Sequence, residues 1–396
     1  MNLTDKQKNR GFQLLFLAIF IDLLGFGIMI PLLPFYAESL GASAFVVALL
    51  MAVYSLGQFL FAPFWGRLSD RYGRRPIILV GLLGTSISFV LFGFASTLTL
   101  LFISRILGGI LTAATLPTSQ AYVADVTSEK ERAKKFGMLG AAFGLGFIFG
   151  PAIGGLLSVY GYAVPAFFAA ALAFLNFVGA YFWLPETYKP TTTVIKSYHL
   201  IDFKGMWKSI THEHIGALVI IGAFIALGFS QLQGMYALFA ERRFGLDAKS
   251  VGIVFFIVGV VSAVVQGFVV GRVVTWIGEI KTVILGTLIL CISYVLIGLS
   301  QSTLFLYVVT GINVAGFALS GPSLNALISE RTHKDEQGTM LGLSQSWAAL
   351  ARVVGPPVSG ILFGFGIALP FYSGAFFMVI AMMIAVKNYK FYSQKT

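Results

Sequence analysis

Long apolar runs parted by short polar breaks fill this chain from end to end. They fall near 12–36, 43–65, 77–95, 98–120, 136–159, 163–184, 213–239, 248–270, 282–300, 303–325, 338–363 and 368–386. A bilayer core about 30 Å thick takes ~20 apolar residues as a helix. An open strand would leave backbone groups unpaired in hydrocarbon, so each run predicts a membrane-spanning helix. The first run is longer than a signal-peptide core and has no small-residue cleavage site after it. It is expected to stay in the mature protein.

The pattern also repeats. Gly66-Arg-Leu-Ser-Asp-Arg-Tyr-Gly-Arg-Arg75 packs ionised side chains between two apolar runs. A weakened copy stands 205 residues later, with Gly271-Arg272 and Gly278 in place of Gly66-Arg67 and Gly73, and Thr275 in place of Asp70. At the same offset Gly81, Ser88, Gly93, Pro117, Gly137 and Gly150-Pro151 match Gly286, Ser293, Gly298, Pro322, Gly342 and Gly355-Pro356. The chain therefore reads as an all-α membrane protein of twelve helices, a tandem duplication of a six-helix unit. A repeat of even span number keeps its direction, as in parallel-repeat transporters. The expected divisions are 1–185 for the first half, 186–212 for a linker with a short amphipathic piece on the inner leaflet, and 213–396 for the second half.

Composition sharpens this reading. Residues are 57% hydrophobic and 11% charged, against about 25% charged in a soluble domain. Lipid is the expected solvent. The net charge of +11 would suit nucleic acid, but its distribution points elsewhere. Basic residues crowd alternate loops: Lys6, Lys8 and Arg10; Arg67, Arg71, Arg74 and Arg75; Lys130, Arg132, Lys134 and Lys135; Lys189, Lys196, Lys204 and Lys208; Arg272 and Lys281; Arg331 and Lys334; Lys387, Lys390 and Lys395. The other face has only Arg242, Arg243 and Lys249. The positive-inside rule then places both termini in the cytoplasm. No nucleic-acid partner is implied. Cys291 is the single cysteine, so no intramolecular disulfide forms. His212-Glu-His214 has no third ligand near it, and no metal site is expected.

Three ionisable residues stand inside spans, where such groups mark function by default. Asp22 lies about 15 Å into the first helix at 1.5 Å per residue. Burial costs a carboxylate its hydration, which suits a group that takes up and releases a proton. Arg105 lies in span four with Asp22 as a candidate partner. Arg352 stands in span eleven beside Gly355-Pro356 and could line a cavity or cap loosened carbonyls. Tyr54, Gln58, Gln231, Gln233, Tyr236, Asn313 and Trp347 are polar or amphipathic side chains on apolar helices. With Arg352 they are the candidates for a substrate cavity. With 38 phenylalanines in the chain, that cavity should be aromatic and suit lipophilic cations and planar compounds. Gly144, Gly146, Gly150, Pro151, Gly154 and Gly155 share one helix, with close helix contact expected along Gly150-xxx-Gly154 and a carbonyl freed by Pro151.

These residues carry a resemblance. Gly66–Arg75 resembles motif A of the major facilitator superfamily, Arg105 with Gly108 and Gly109 its motif B, and Gly146 to Gly155 its antiporter motif C. Asp22-Leu-Leu-Gly25-Phe-Gly27-Ile-Met-Ile-Pro31-Leu-Leu-Pro34 is similar to the first helix of tetracycline/proton and multidrug/proton antiporters. The resemblance implies a proton role for Asp22 and Arg105. It also implies a cytoplasmic latch in which Asp70 sits at the positive end of span eleven, Arg71 pairs with Asp125, and Gly66, Gly73, Arg74 and Arg75 shape the loop. Two departures stand out. Tetracycline exporters carry an acid in the third helix, where this chain has Ser88, and other multidrug members carry one in the seventh, where it has Gln231 and Gln233.

The expected function is export of small lipophilic or cationic compounds in exchange for protons, by alternating access. A monomer in the inner membrane of a bacterium is expected, with the proton as coupling ion and no cofactor. A proton symporter for uptake and a lipid or metabolite exporter are the alternatives of the same fold. An intramembrane enzyme is disfavoured: the sequence has no H-E-x-x-H, no P-loop and no serine beside an in-span histidine.

Overall fold

The computed structural model describes residues 5–127, 129–187, 203–213, 215–332 and 336–393, and within them every regular element is helical. Lys189, Lys196, His199, His214, His333, Lys334 and Lys395 lie outside the described residues, as do the side chains of Lys6, Lys8, Lys130, Arg132 and Lys134. The first half builds α1 (Asp5–Ser39), α2 (Ala44–Tyr72), α3 (Arg74–Gly93), α4 (Leu98–Thr112), α5 (Thr115–Val126), α6 (Glu129–Leu157) and α7 (Ala163–Trp183). After the linker helix α8 (Phe203–Thr211) come α9 (Gly216–Phe244), α10 (Ala248–Val264), α11 (Val270–Ile277), α12 (Glu279–Leu299), α13 (Thr303–Glu330), α14 (Gln337–Phe365), α15 (Leu369–Lys387) and the short α16 (Tyr389–Ser393). Eleven segments among the described residues are long and apolar enough to cross a bilayer, and Gly144–Tyr160 adds a shorter apolar stretch in the sixth helix and the turn after it. Each of the twelve predicted spans thus has its helix.

Two spans are interrupted. Span four breaks at Ala113–Ala114 between α4 and α5. Span eight passes from α10 to α11 through a π turn at Val265–Val269. In the repeat register Phe268 of that turn answers to Pro63 inside α2, whose missing N–H leaves a gap in its own ladder.

The duplication extends to individual contacts. Ser88 lies against Gly108, and 205 residues on, Asn313 Nδ2 donates to Ser293 Oγ at 2.9 Å. Gly93 is covered by Phe167, and Gly298 by Tyr372. Gly81 faces Thr115, and Gly286 faces Ser320. Gly73 and Gly278 precede α3 and α12 with φ of 100° and 83°, a left-handed backbone that side chains resist.

Two compact units emerge, Met1–Ala42 with Val53–Ile201 and Asp247–Phe256, and Ser43–Ala52 with Asp202–Leu246 and Ile257–Thr396. Each includes the opening turns of a helix from the opposite half of the sequence. The cause is close backbone packing. In the first unit a Cβ on Gly155 would fall 3.0 Å from Gly252 Cα, and in the second a Cβ on Gly360 would fall 3.0 Å from Phe45 Cα. The first unit's core includes Leu15, Ile19, Ile78, Leu82 and Tyr122, which join α1, α3 and α5. Lipid tails are as apolar as these side chains, so such contacts stabilise through packing rather than through escape from water.

Candidate transport and coupling site

The first unit places an acid, a base and an aromatic ring along three neighbouring helices. Thr85 on α3 donates its hydroxyl to Asp22 Oδ1 on α1 at 2.8 Å. The same hydroxyl lies 3.0 Å from the carbonyl of Gly81. It has one hydrogen and two acceptors. If Asp22 is ionised, that hydrogen belongs on the carboxylate. If Asp22 carries a proton, the carboxyl O–H can donate to Thr85 Oγ1 while Thr85 donates to Gly81. Both charge states are satisfied with no heavy atom moved.

Arg105 on α4 is buried, and its Nε finds no hydrogen-bond acceptor. Its guanidinium lies over the Tyr54 ring, 4.2 Å from the centroid. A cation over an aromatic face is attracted by the ring quadrupole, more strongly where water is excluded. Among the described residues Arg105 forms no ion pair with Asp22; the ring takes the place the sequence reading gave to the carboxylate. Tyr54 is itself anchored, its hydroxyl 3.1 Å from Thr112 Oγ1, with Gln58 Nε2 donating to it at 3.2 Å. Phe26 stacks on Tyr54 at 5.6 Å between centroids. Tyr54 and Gln58, expected as cavity residues, thus belong to one hydrogen-bonded cluster with Thr112, and Tyr54 adjoins Arg105. Ser88 donates to the Thr85 carbonyl at 2.9 Å.

The candidates of the second unit do not form a comparable cluster. Tyr236 and Asn313 are fully buried, and Gln231 with them. Thr310 donates to the Tyr236 hydroxyl at 3.1 Å, Asn313 donates to Ser293, and Ser373 donates to Gln231 Oε1. These groups bond between packed helices of the unit instead of lining open space. Gln233 is partly buried. Trp347 donates to the Met206 carbonyl at 3.3 Å and so ties α14 to α8. Arg352 is exposed on α14 and pairs with no described carboxylate.

The charged loop differs from expectation in one residue. Arg74, not Arg71, reaches Asp125: its Nε donates to Oδ2 at 3.1 Å. Its Nη1 donates to Asp70 and, at 2.7 Å, to Ser69. Arg71 is exposed and lies over Tyr72. The reason is the break at Gly73, which turns Arg74 back over the end of α2, whereas Arg71 points off that end. Sequence reading also missed Glu186. Its carboxylate accepts from the backbone N–H of Arg74 at 3.0 Å and of Arg75 at 3.1 Å, so it closes the positive end of α3. Gly73 makes room for it, since a Cβ there would fall 2.5 Å from Glu186 Oε2. A carboxylate twelve positions past Phe174, at the end of the sixth span, gave only the weak signal of an acid among lysines. Arg75 donates to the Tyr181 carbonyl, and the Gly66 carbonyl accepts from the Ser69 hydroxyl at 2.6 Å.

Glycines of α6 form a seam against α1. Cβ atoms on Gly146, Gly150 and Gly154 would fall 2.7 Å from Leu23 Cβ, 2.6 Å from Leu24 O and 2.6 Å from Ile28 O. Gly155 and the Pro151 carbonyl face the adjacent side, where Gly252 packs, while the Pro151 ring lies against Gly27 of α1.

With this geometry in place, comparison with known proteins decides the family. The model of the Major Facilitator Superfamily matches residues 15–356 and, in a second match, 218–391. The chain belongs to the major facilitator superfamily. It is 32% identical to multidrug resistance protein 2 of Bacillus subtilis over 94% of this chain and 93% of that one. It is 32% identical to the class B tetracycline resistance protein of Escherichia coli, covering 95% of both. Among solved structures, a POT family transporter in complex with 5-aminolevulinic acid superposes with a TM-score of 0.80 at 17% identity, over 98% of this chain and 97% of that one. The human organic anion transporter MFSD10 gives 0.72 at 24%, over 96% and 99%. These superpositions show a shared fold, and the twelve spans and repeated halves of this chain fit the superfamily.

Proposed function

We propose that this superfamily member exports small lipophilic or cationic compounds in exchange for protons, working as a monomer in a bacterial inner membrane with both termini in the cytoplasm. The observation that carries the reading is the Thr85 hydroxyl poised between Asp22 and Gly81. A mid-membrane carboxyl whose two charge states are equally well bonded can load a proton on one side and release it on the other. Support comes also from the relatives, whose names are multidrug, tetracycline and quinolone resistance proteins, and from the basic loops that set the orientation. One chain holds both halves, so one chain suffices.

Arg105 fits the same scheme. Its guanidinium keeps a fixed positive charge over Tyr54 in the same unit, while an arriving lipophilic cation and a proton compete for the one carboxylate of Asp22. An inward proton yields about 2.3 kcal/mol per 100 mV of membrane potential and about 1.4 kcal/mol per pH unit. For an uncharged substrate one proton can therefore sustain roughly a hundredfold gradient, and for a monovalent cation exchanged one for one about tenfold per pH unit. The test uses energised inside-out vesicles and a panel of lipophilic cations, tetracyclines, sugars and amino acids. Collapse of the proton gradient on adding a drug is the expected result. Silence with drugs and a response to a sugar or amino acid would overturn export in favour of uptake.

A further inference from the structure

The second unit holds a cavity with Trp347, an expected substrate-cavity residue, in its wall. It measures about 280 Å³ and is lined by Ile210 of α8, by Ala223, Phe224 and Leu227 of α9, and by Trp347 and Val354 of α14, among others. No polar atom faces it. The one polar group of its wall, Trp347 Nε1, is already bonded to the Met206 carbonyl. Sites for drug-sized molecules are typically about 300–1,000 Å³ and carry a few polar groups that fix orientation. This one is smaller and has none. It suits the end of a hydrocarbon chain.

The outer face of α8, the helix that closes one wall, carries the complementary chemistry. α8 has two faces. Met206 and Ser209 are buried, and Ile210 enters the cavity wall. Lys204, Trp207, Lys208 and Thr211 are exposed on the opposite side. Two lysines flank a tryptophan that is 66% exposed, with Glu213 the one carboxylate among the described residues from Phe203 to Glu213. Tryptophan favours the headgroup level of a bilayer, and lysine stems reach from there to water. The two walls formed by α9 and α14 belong to membrane-spanning segments.

We infer that an anionic phospholipid binds here, its acyl chain in the α8–α9–α14 cavity and its headgroup on Lys204 and Lys208. The lipid packs against the Trp347–Met206 link, so it braces α8 on the helix that also carries Arg352 and Gly355-Pro356. A lysine near an anionic surface contributes about fivefold in affinity.

The test is lipid retention by the intact protein, measured by native mass spectrometry after exchange with palmitoyl-oleoyl phosphatidylglycerol or phosphatidylcholine. Wild type should keep phosphatidylglycerol over phosphatidylcholine by at least fivefold. Lys204→Gln with Lys208→Gln should erase the preference while leaving retention of phosphatidylcholine. Ala223→Phe, which fills the cavity, should reduce retention of both lipids. Lys208→Arg, which keeps the charge, should behave as wild type and so controls for misfolding. Equal retention of the two lipids by wild type would overturn the assignment. So would unchanged retention in Ala223→Phe. Displacement of the bound chain by tetraphenylphosphonium, with no effect of the lysine changes, would make the cavity a substrate subsite instead.

Discussion

Arg74 Nε donates to Asp125 Oδ2 at 3.1 Å, and through Nη1 the same guanidinium holds Asp70. One cation thus joins the end of α2 to the end of α5. Arg74→Gln leaves two carboxylates facing each other without it. Loss of one partner from a buried pair costs about 3–5 kcal/mol, and exposure of Asp70 lowers that to about 1–3 kcal/mol. A fall in melting temperature in detergent is expected for Arg74→Gln and also for Arg74→Lys, whose compact ammonium lacks the planar fork that spans both carboxylates. Arg71→Gln should melt like wild type. Equal losses at positions 71 and 74 would refute the assignment.

Asp22→Asn keeps an acceptor for Thr85, so expression and melting should stay near wild type. Drug-triggered proton movement should be lost, read with a pH-sensitive dye in inside-out vesicles. Undiminished proton movement in this variant would remove Asp22 from the coupling path.

Thr85 gives a sharper test of the two-acceptor arrangement. A hydrogen bond to a charged group is worth about 1.5–3 kcal/mol. Thr85→Val should therefore slow coupled transport by roughly tenfold to a hundredfold, and Thr85→Ser, which keeps the hydroxyl, should restore it. Failure of the serine variant to differ from valine would show that shape, and not the hydroxyl, matters at this position.

The glycine seam predicts a contrast within one helix. A Cβ on Gly150 would fall 2.6 Å from Leu24 O and 2.8 Å from Gly27 Cα, both backbone. Gly150→Ala should cost about 1–3 kcal/mol through overpacking. Gly144 has nothing within 4 Å, so Gly144→Ala should be neutral or stabilising by up to about 1 kcal/mol. Thermal melts of the two variants side by side measure the difference.

Asp247 caps α10, accepting from the Ser250 backbone at 2.8 Å, and bonds from Ser250 hold its carboxyl below the usual carboxylate range. A lowered value in the folded state means stability that is present above the unfolded value, about 3.9, and is lost as pH falls through the folded one. Asp247→Ala should cost about 1 kcal/mol near neutrality. The gap from wild type should narrow below about pH 4. A gap that is constant with pH would show that the charge plays no part.

The spans, their repeat and the lone mid-membrane acid were legible because each rests on a strong local signal: long apolar runs, a constant offset, a charge where charge is costly. The partner of Asp125 was not legible. Arg71, Arg74 and Arg75 are chemically equivalent on paper, and only the left-handed turn at Gly73 selects among them. Gln231, Tyr236 and Asn313 show the same limit. A polar side chain on an apolar helix can face either a cavity or a neighbouring helix, and periodicity does not distinguish the two when both faces are apolar. The break at Ala113–Ala114 left no mark either, since alanine is a good helix former.

Pro63 within the second span and the π turn of the eighth stand at one position of the repeat. One copy of the ancestral unit breaks its ladder with Pro63, the other with a π turn built from ordinary residues. After duplication the side chains at this position were free to drift, and they did. What the two copies share is a position where the regular backbone ladder fails, reached in one by a missing N–H and in the other by a wider turn.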